Sequence, residues 1–210
     1  MAMDSSNVKK KISIYSLKTK KEILNYYKDW TTNNQYNKDM IDWKYEAPSN
    51  SVKLLDNYSN DKSIKILDAG CGTGLVGELL YKKGYKNLHG ADFSSDMLNL
   101  VPNNLYSSLE LLDLNKKLKF EDESFDAVIC VGTFTFGHVK AKALGEFLRI
   151  LKKNGLICFT INEGIFKEYK FDIKINDLTE QNDWEIIKFL KTSYIIKKEV
   201  ESWICLARKK

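Results

Sequence analysis

The sequence predicts an α/β fold: a mixed sheet whose strands alternate with helices, ending in an antiparallel hairpin and roofed by an N-terminal helical cap. Three observations carry this expectation. From Ile64 onward, apolar runs of strand length alternate with helical patterns, as right-handed βαβ units around a parallel sheet require. A glycine-rich stretch, Leu67 to Gly77, joins the first apolar run to the first helix of that series. The last two strand-like runs, WEIIKFLK and TSYIIKKEVESWICLARK, are too close in sequence for a crossover, so they pair antiparallel at one edge.

In chain order the core reads IKIL, LVGELLYKK, NLHGAD, SDMLNLV, LYSSLELLD, FDAVICV, AKALGEFLRILKK and LICFTI. Gly84 stands where a helix ends in a left-handed cap, and Ser94 is placed to accept from the first turn of SDMLNLV. Lys153-Asn154-Gly155 supplies the turn into LICFTI. Ahead of the core, Thr19-x-x-Glu22 is a capping box opening a helix with Ile23, Leu24, Tyr26, Tyr27 and Trp30, and a second helical pattern runs from Met40 to Leu55 with Pro48 at its start or kink. The organisation expected is a basic, disordered leader over 1–18, a helical cap over 19–60 and a ligand-binding core over 61–210.

The 210 residues suffice for one hydrophobic core. The net charge of +5 lies at the start of the sequence, where residues 1–28 hold seven lysines against Asp4 and Glu22, so the rest is neutral overall. A lysine-rich start is read here as a solvated tail, in preference to a nucleic-acid or membrane contact. No run approaches the ~18 apolar residues of a membrane span, and no apolar segment follows the first lysines, so a soluble, cytoplasmic protein is expected. Cys71, Cys130, Cys158 and Cys205 are scattered, with no C-x-x-C pair or adjoining histidine to make a zinc set. They read as buried free thiols, and no metal is expected.

The stretch LDAGCGTGLVG contains two glycine signatures. From Gly72 it is G-x-G-x-x-G, which offers a helix N-terminus to a pyrophosphate. From Asp68 it is D-x-G-x-G-x-G, a loop for a ligand with a cationic amino-acid tail. A carboxylate at Asp68 opposes a phosphate and attracts an ammonium or sulfonium, an attraction of about 4 kcal/mol at ~4 Å and an effective dielectric of ~20 before desolvation. Asp92, about twenty residues on at the end of the second strand, suits ribose hydroxyls in either case. Asp113, ending the third strand, adds an acid for an adenine amino group that a dinucleotide enzyme does not require.

With LDAGCGTG, GADFSSDML, LLDLN, FDAVICVGTFTFGHV and LRILKKNGLICFT in order, the chain resembles the class I methyltransferases that use S-adenosylmethionine (SAM), from about Ile64 to Thr160. More narrowly, YYKDWTTNNQYNKDM, KYEAP, VGTFTFGHV and the closing ESW resemble the methyltransferase-like protein 27 (Williams-Beuren region) family over most of 23–207. That pattern has histidine where Phe136 stands and Pro-Gly where Lys153-Asn154 stands. The resemblance implies a Rossmann-like, seven-stranded class I fold with SAM as cofactor and S-adenosylhomocysteine as product. It further implies that Asp68 and the loop of Gly70, Cys71, Gly72 and Gly74 hold the methionine part, with Tyr36 reaching its carboxylate. Asp92 would hold the ribose, Phe93 and Met97 would flank the adenine, and Asp113, Leu114 and the backbone of Cys130 and Val131 would read its edge.

Methyl transfer is a displacement in which the protein chiefly excludes water and aligns the nucleophile, adding a base only where the acceptor must lose a proton. His138, in the loop after the fourth strand, is the candidate base, against the plainer role of filling a polar gap. His89 is read as structural. Tyr27 and Trp30 in the cap, and one of Phe134 and Phe136, are the candidate acceptor contacts. Glu163, after the fifth strand, has no orientation from sequence. There is no N/D-P-P-Y motif and no RNA-binding segment beyond the leader, so the acceptor expected is a small molecule, with no nucleic-acid or membrane partner. The oligomeric state is left open. Two alternatives stand beside this reading: a SAM-binding module without turnover, and an NAD-dependent oxidoreductase using Gly72, Gly74 and Gly77.

Overall fold

The structure, a computed structural model, describes residues 13–210. Three helices open it: α1 (Lys20–Thr31), α2 (Gln35–Asp42) and α3 (Ala47–Asp56). There follow β1 (Ile66–Ala69), α4 (Leu75–Lys82), β2 (Leu88–Asp92), α5 (Ser95–Leu98), β3 (Ser108–Leu111), β4 (Phe125–Phe134), α6 (Ala143–Ile150), β5 (Leu151–Asn162), α7 (Phe171–Glu180), β6 (Trp184–Ile195) and β7 (Val200–Lys209).

The seven strands form one sheet in the order β3-β2-β1-β4-β5-β7-β6. The first five are mutually parallel, β7 runs antiparallel to β5, and β6 completes the expected hairpin at the edge. Strand order reverses on either side of β1, between β2 and β4. A crevice opens at the carboxyl ends of strands at such a reversal, bounded here by the loops after β1 and β4. This is the mixed, Rossmann-like class I sheet the sequence implied.

The local signals act as anticipated. Thr19 Oγ1 accepts from Glu22 N at 3.2 Å while Glu22 Oε2 accepts from Thr19 N at 2.8 Å, closing the capping box of α1. Ser94 accepts from Met97 N at 3.3 Å. The SDMLNLV helix, however, is a single turn ending at Leu98, because Pro102 lies ahead and pulls the preceding chain out of helix. The Met40–Leu55 pattern is two helices, with Pro48 in the first turn of α3, where its missing N–H costs nothing.

Two boundaries differ from expectation. The leader predicted over 1–18 lies outside the described residues only up to residue 12. Ser13–Ser16 is a 3₁₀ turn whose Ile14 and Tyr15 are buried, so the ordered cap begins before Thr19. The predicted cap of 19–60 also divides: α3 packs beside α4 against β4 and β5, with Val52 and Leu55 in the main core. Only the segments up to α2 roof the crevice. All four cysteines are buried and unpaired, three of them within β4, β5 and β7, and burial pushes their thiols up. No helix among the described residues is long and apolar enough to cross a membrane.

Candidate active site

The crevice holds a cavity of ≈110 Å³ floored by Gly70 and Gly72 and roofed by Lys20, Ile23 and Tyr27 of α1. Gly70 (φ +83) passes so close to β4 that a Cβ there would lie 2.1 Å from Thr133 Oγ1. Gly72 (φ +54) brings its N–H to Asp92 Oδ2 at 3.0 Å, while Asp92 Oδ1 accepts from Ser94 N at 2.9 Å. The end of β2 therefore clamps the glycine loop to the start of α5. Burial raises the Asp92 carboxyl, and the backbone donors oppose that rise.

Phe93, Met97, Leu114 and Val131 line the same cavity with apolar surface, beside Asp113. Asp113 Oδ2 accepts from Lys20 Nζ at 2.9 Å and its Oδ1 from Asn115 N at 3.1 Å, which together hold its carboxyl below the usual range against partial burial. The cap is tied to the loop a second time, where Thr73 Oγ1 donates to Asn37 Oδ1 at 2.6 Å.

His138 is buried at the cavity wall. Its Nδ1 lies 2.6 Å from the Phe136 carbonyl oxygen, which only accepts, so Nδ1 carries the proton. Nε2 is then an acceptor, and the Tyr27 hydroxyl donates to it at 2.9 Å. Burial lowers the imidazole to about 4, so the ring is neutral at physiological pH. Burial likewise raises the Tyr27 phenol.

Of the predicted site residues, Gly70, Gly72, Asp92, Phe93, Met97, Asp113, Leu114, Val131, Tyr36, Tyr27 and His138 come together around this cavity. Others do not line it. Asp68 is buried behind the loop, where its Oδ2 accepts from the Tyr106 hydroxyl at 2.6 Å and its Oδ1 has no hydrogen-bond partner among the described residues. The argument from charge sign thus passes to Asp92 and Asp113, which face the cavity. Cys71 and Cys130 are core residues, and Gly74 (φ +95) starts α4 against Leu105. Gly77, the third glycine of the dinucleotide reading, accommodates Tyr106, whose hydroxyl oxygen lies 2.2 Å from where a Cβ would stand. Its smallness serves that packing.

Neither Phe134, the last residue of β4, nor Phe136, just after it, lines either cavity. Phe134 packs among Phe147, Phe159 and Phe171, and Phe136 against Tyr15 and Tyr169, because the bulge at Gly132–Thr133 turns both rings into the core. Trp30 is pinned through Nε1–H to Asp39 at 2.6 Å and lines a smaller neighbouring cavity. Glu163 is turned away, accepting from Glu201 N at 3.0 Å and pairing with Lys191 at 3.1 Å.

Sequence reading missed Lys20, Tyr45, Thr133 and Gly132. Gly132 carried a usable signal: a lone glycine in the β-rich run ICVGT marks a bulge or a close approach. Here φ is +77 and Tyr45 Oη would sit 2.3 Å from an added Cβ.

The lining suits a nucleoside carrying an amino-acid tail. It offers a clamped carboxylate at the end of β2, a second acid for an amino group, apolar faces between them, and the glycine loop at Gly70 and Gly72 as a floor. It suits a pyrophosphate poorly, since the lining acids Asp92 and Asp113 face one lysine, Lys20, already paired.

Comparison with known proteins agrees with this geometry. The methyltransferase-domain family matches residues 67–159. Methyltransferase-like protein 27 of Homo sapiens is 33% identical over 169 residues, covering 77% of this chain and 68% of that protein. The ubiquinone/menaquinone biosynthesis C-methyltransferase UbiE of Campylobacter jejuni is 32% identical over 103 residues, or 46% of this chain and 43% of that one. Among solved structures, magnesium protoporphyrin IX methyltransferase of Synechocystis PCC 6803 with bound SAM superposes with a TM-score of 0.64 at 18% identity, covering 84% and 85% of the two chains.

Proposed function

The chain belongs to the methyltransferase-like protein 27 family of SAM-dependent methyltransferases, and on that premise we propose that it methylates a small-molecule acceptor held beneath its helical cap. The observation that carries this reading is the roof itself. Helix α1 and the start of α2 lie across the crevice, tied down at Lys20–Asp113 and Thr73–Asn37, so the space under them admits a small ligand more readily than a folded macromolecule. The relatives named for quinone biosynthesis and for a protoporphyrin act, by those names, on small organic molecules, which supports the same class.

In this reading Gly70, Gly72 and Tyr36 hold the methionine part of the cofactor, Asp92 the ribose, and Phe93, Met97, Leu114, Val131 and Asp113 the adenine. When bound, SAM would supply a methyl carbon on a positively charged sulfur, a leaving group that would keep the electron pair of the carbon–sulfur bond. Asp92 is fixed by two backbone N–H groups and keeps lone pairs free for hydroxyl donors. Ile23 and Tyr27 exclude water from the crevice. His138 Nε2, reached through the Tyr27 hydroxyl, takes the proton that an acceptor heteroatom sheds. Burial leaves this imidazole neutral but weakly basic, at about 4, so it takes a proton only from a heteroatom that bonding to the methyl group has made strongly acidic.

Isothermal titration with S-adenosylhomocysteine, followed by a screen of metabolite extracts with methyl-labelled SAM, tests the proposal. Micromolar binding and label in a low-molecular-weight product are expected. Absence of binding, or label confined to protein or nucleic acid, overturns it.

A further inference from the structure

Beside the cofactor cavity lies a second one of ≈50 Å³, and Tyr27, Tyr36, Tyr45, Gly132 and His138 form a wall common to both. Its remaining lining comes from Tyr15, Tyr194, Thr135, Trp30, Trp43 and three aliphatic side chains, with no lysine, arginine, aspartate or glutamate among them. Glu163, whose field reaches Tyr15, is neutralised by Lys191, and Asp39 behind Trp30 is held by the indole N–H. What the chamber offers is neutral hydroxyls. Those of Tyr45 and Tyr194 converge on Gly132, where an added Cβ would lie 2.3 and 3.3 Å from their oxygens. Thr135 is 3% exposed and lines the chamber, and its Oγ1 has no hydrogen-bond partner of good geometry among the described residues, only an interaction with the Tyr15 hydroxyl.

A buried hydroxyl without a partner is costly, and it marks a place where a ligand or water completes the bonding. The lining holds no group to pair with a charge, and Asp92, whose field reaches Tyr27 and Tyr36, is already held by the N–H groups of Gly72 and Ser94, so a charged group there is disfavoured. Burial raises the phenols of Tyr15, Tyr27, Tyr36, Tyr45 and Tyr194, so the hydroxyls remain neutral donors and acceptors.

We propose that this tyrosine-lined chamber is the acceptor subsite, and that it selects an uncharged polar head group, a hydroxyl, amide or neutral amine, bonded by Tyr45, Tyr194 and Thr135 and presented to Tyr27 and His138. The volume gives room for about four water-sized groups, which sets the size of the head; the rest of the acceptor extends toward the opening. This inference rests on the methyltransferase reading of the adjoining cavity.

Acetamide, acetate and acetamidinium share one shape and differ in charge. They are titrated at constant ionic strength into the protein saturated with S-adenosylhomocysteine and labelled with 5-fluorotryptophan, with the ¹⁹F shifts of Trp30 and Trp43 as readout. Acetamide is expected to shift both resonances saturably, at a concentration about tenfold below that needed for either ion. Thr135→Val, which keeps the side-chain shape, is expected to weaken acetamide about fivefold while leaving S-adenosylhomocysteine binding intact, showing that the fold survives. Equal or tighter binding of an ion, or no saturable shift in the loaded protein, overturns the chamber assignment alone. Failure of S-adenosylhomocysteine to bind overturns the cofactor reading beneath it.

Discussion

The hydroxyl of Tyr27 in the cap donates to Nε2 of His138 in the β4 loop at 2.9 Å, across 111 residues of sequence, while the Phe136 carbonyl fixes the opposite nitrogen. The pair joins roof and sheet at the point where an acceptor's proton has to leave. His138→Asn is expected to lower kcat by about 10²- to 10³-fold, within the usual range for a lost general base, and to change S-adenosylhomocysteine affinity far less. Tyr27→Phe removes the hydroxyl through which the proton reaches Nε2 and is expected to cost about as much, roughly 10²-fold. Single-turnover rates beside calorimetric affinities decide it. A loss of affinity as large as the loss of rate would make His138 a cofactor contact. Because burial holds the ring at about 4, its protonation is not expected to depress kcat/KM until the pH approaches that value.

Asp92 is the clamp of the cofactor cavity, with one oxygen on Gly72 N and the other on Ser94 N. Asp92→Ala releases two backbone donors at once and is expected to weaken S-adenosylhomocysteine binding by about 100-fold, given roughly 1.5–3 kcal/mol for a hydrogen bond to a charged group. Asp92→Asn is expected to rescue little, because its amide nitrogen must face one of those N–H groups as donor against donor. Calorimetry on the three proteins checks the order.

How far these groups were legible follows from the range of the forces that place them. The glycine loop, Ser94 and the Thr19–Glu22 box are local devices, set by backbone conformation within a few residues, and they appear where the pattern put them. The parallel order and late hairpin followed from run lengths and connection lengths. The orientation of Asp68 was not legible, because it depends on Tyr106, brought beside it only by the fold. Where Phe134 and Phe136 point was not legible either, because it depends on the irregularity of β4 between Cys130 and Phe134. The tyrosine chamber draws on residues from 14 to 195, a grouping no window of sequence contains.

Gly132 allows a test of that irregularity in β4. At φ +77 an alanine is strained, and its Cβ meets the Tyr45 hydroxyl at 2.3 Å. Gly132→Ala is expected to destabilise the fold by about 1–3 kcal/mol. In the Tyr45→Phe background, where the opposing oxygen is gone, part of that loss is expected to return, because the remaining ring carbon lies 3.5 Å away. Denaturant midpoints of the double-mutant cycle measure the coupling, and strict additivity would show that the two side chains do not meet.

Asp68 yields an expectation whose sign depends on burial. Its carboxyl is pushed up to about 7, chiefly by burial, against an unfolded value near ~3.9. Between those values the folded chain holds a proton that the unfolded chain has lost, so this group's contribution to stability falls as pH rises from about 4 to about 7 and is constant above. His138 acts oppositely: folded near 4 and unfolded near ~6.5, it makes stability rise with pH across almost the same window. Asp68→Asn removes only the falling contribution while keeping an acceptor for the Tyr106 hydroxyl. The stability of the variant relative to the parent is therefore expected to climb from pH 4 to pH 7 and then level off, leaving the variant about 1–2 kcal/mol more stable at pH 8 once an unpartnered amide replaces Oδ1. Urea unfolding at pH 5, 6, 7 and 8 follows the difference. A difference that stays constant across those pH values would mean that Asp68 is ionised throughout, with a cation or donor beside it that the Tyr106 contact does not account for.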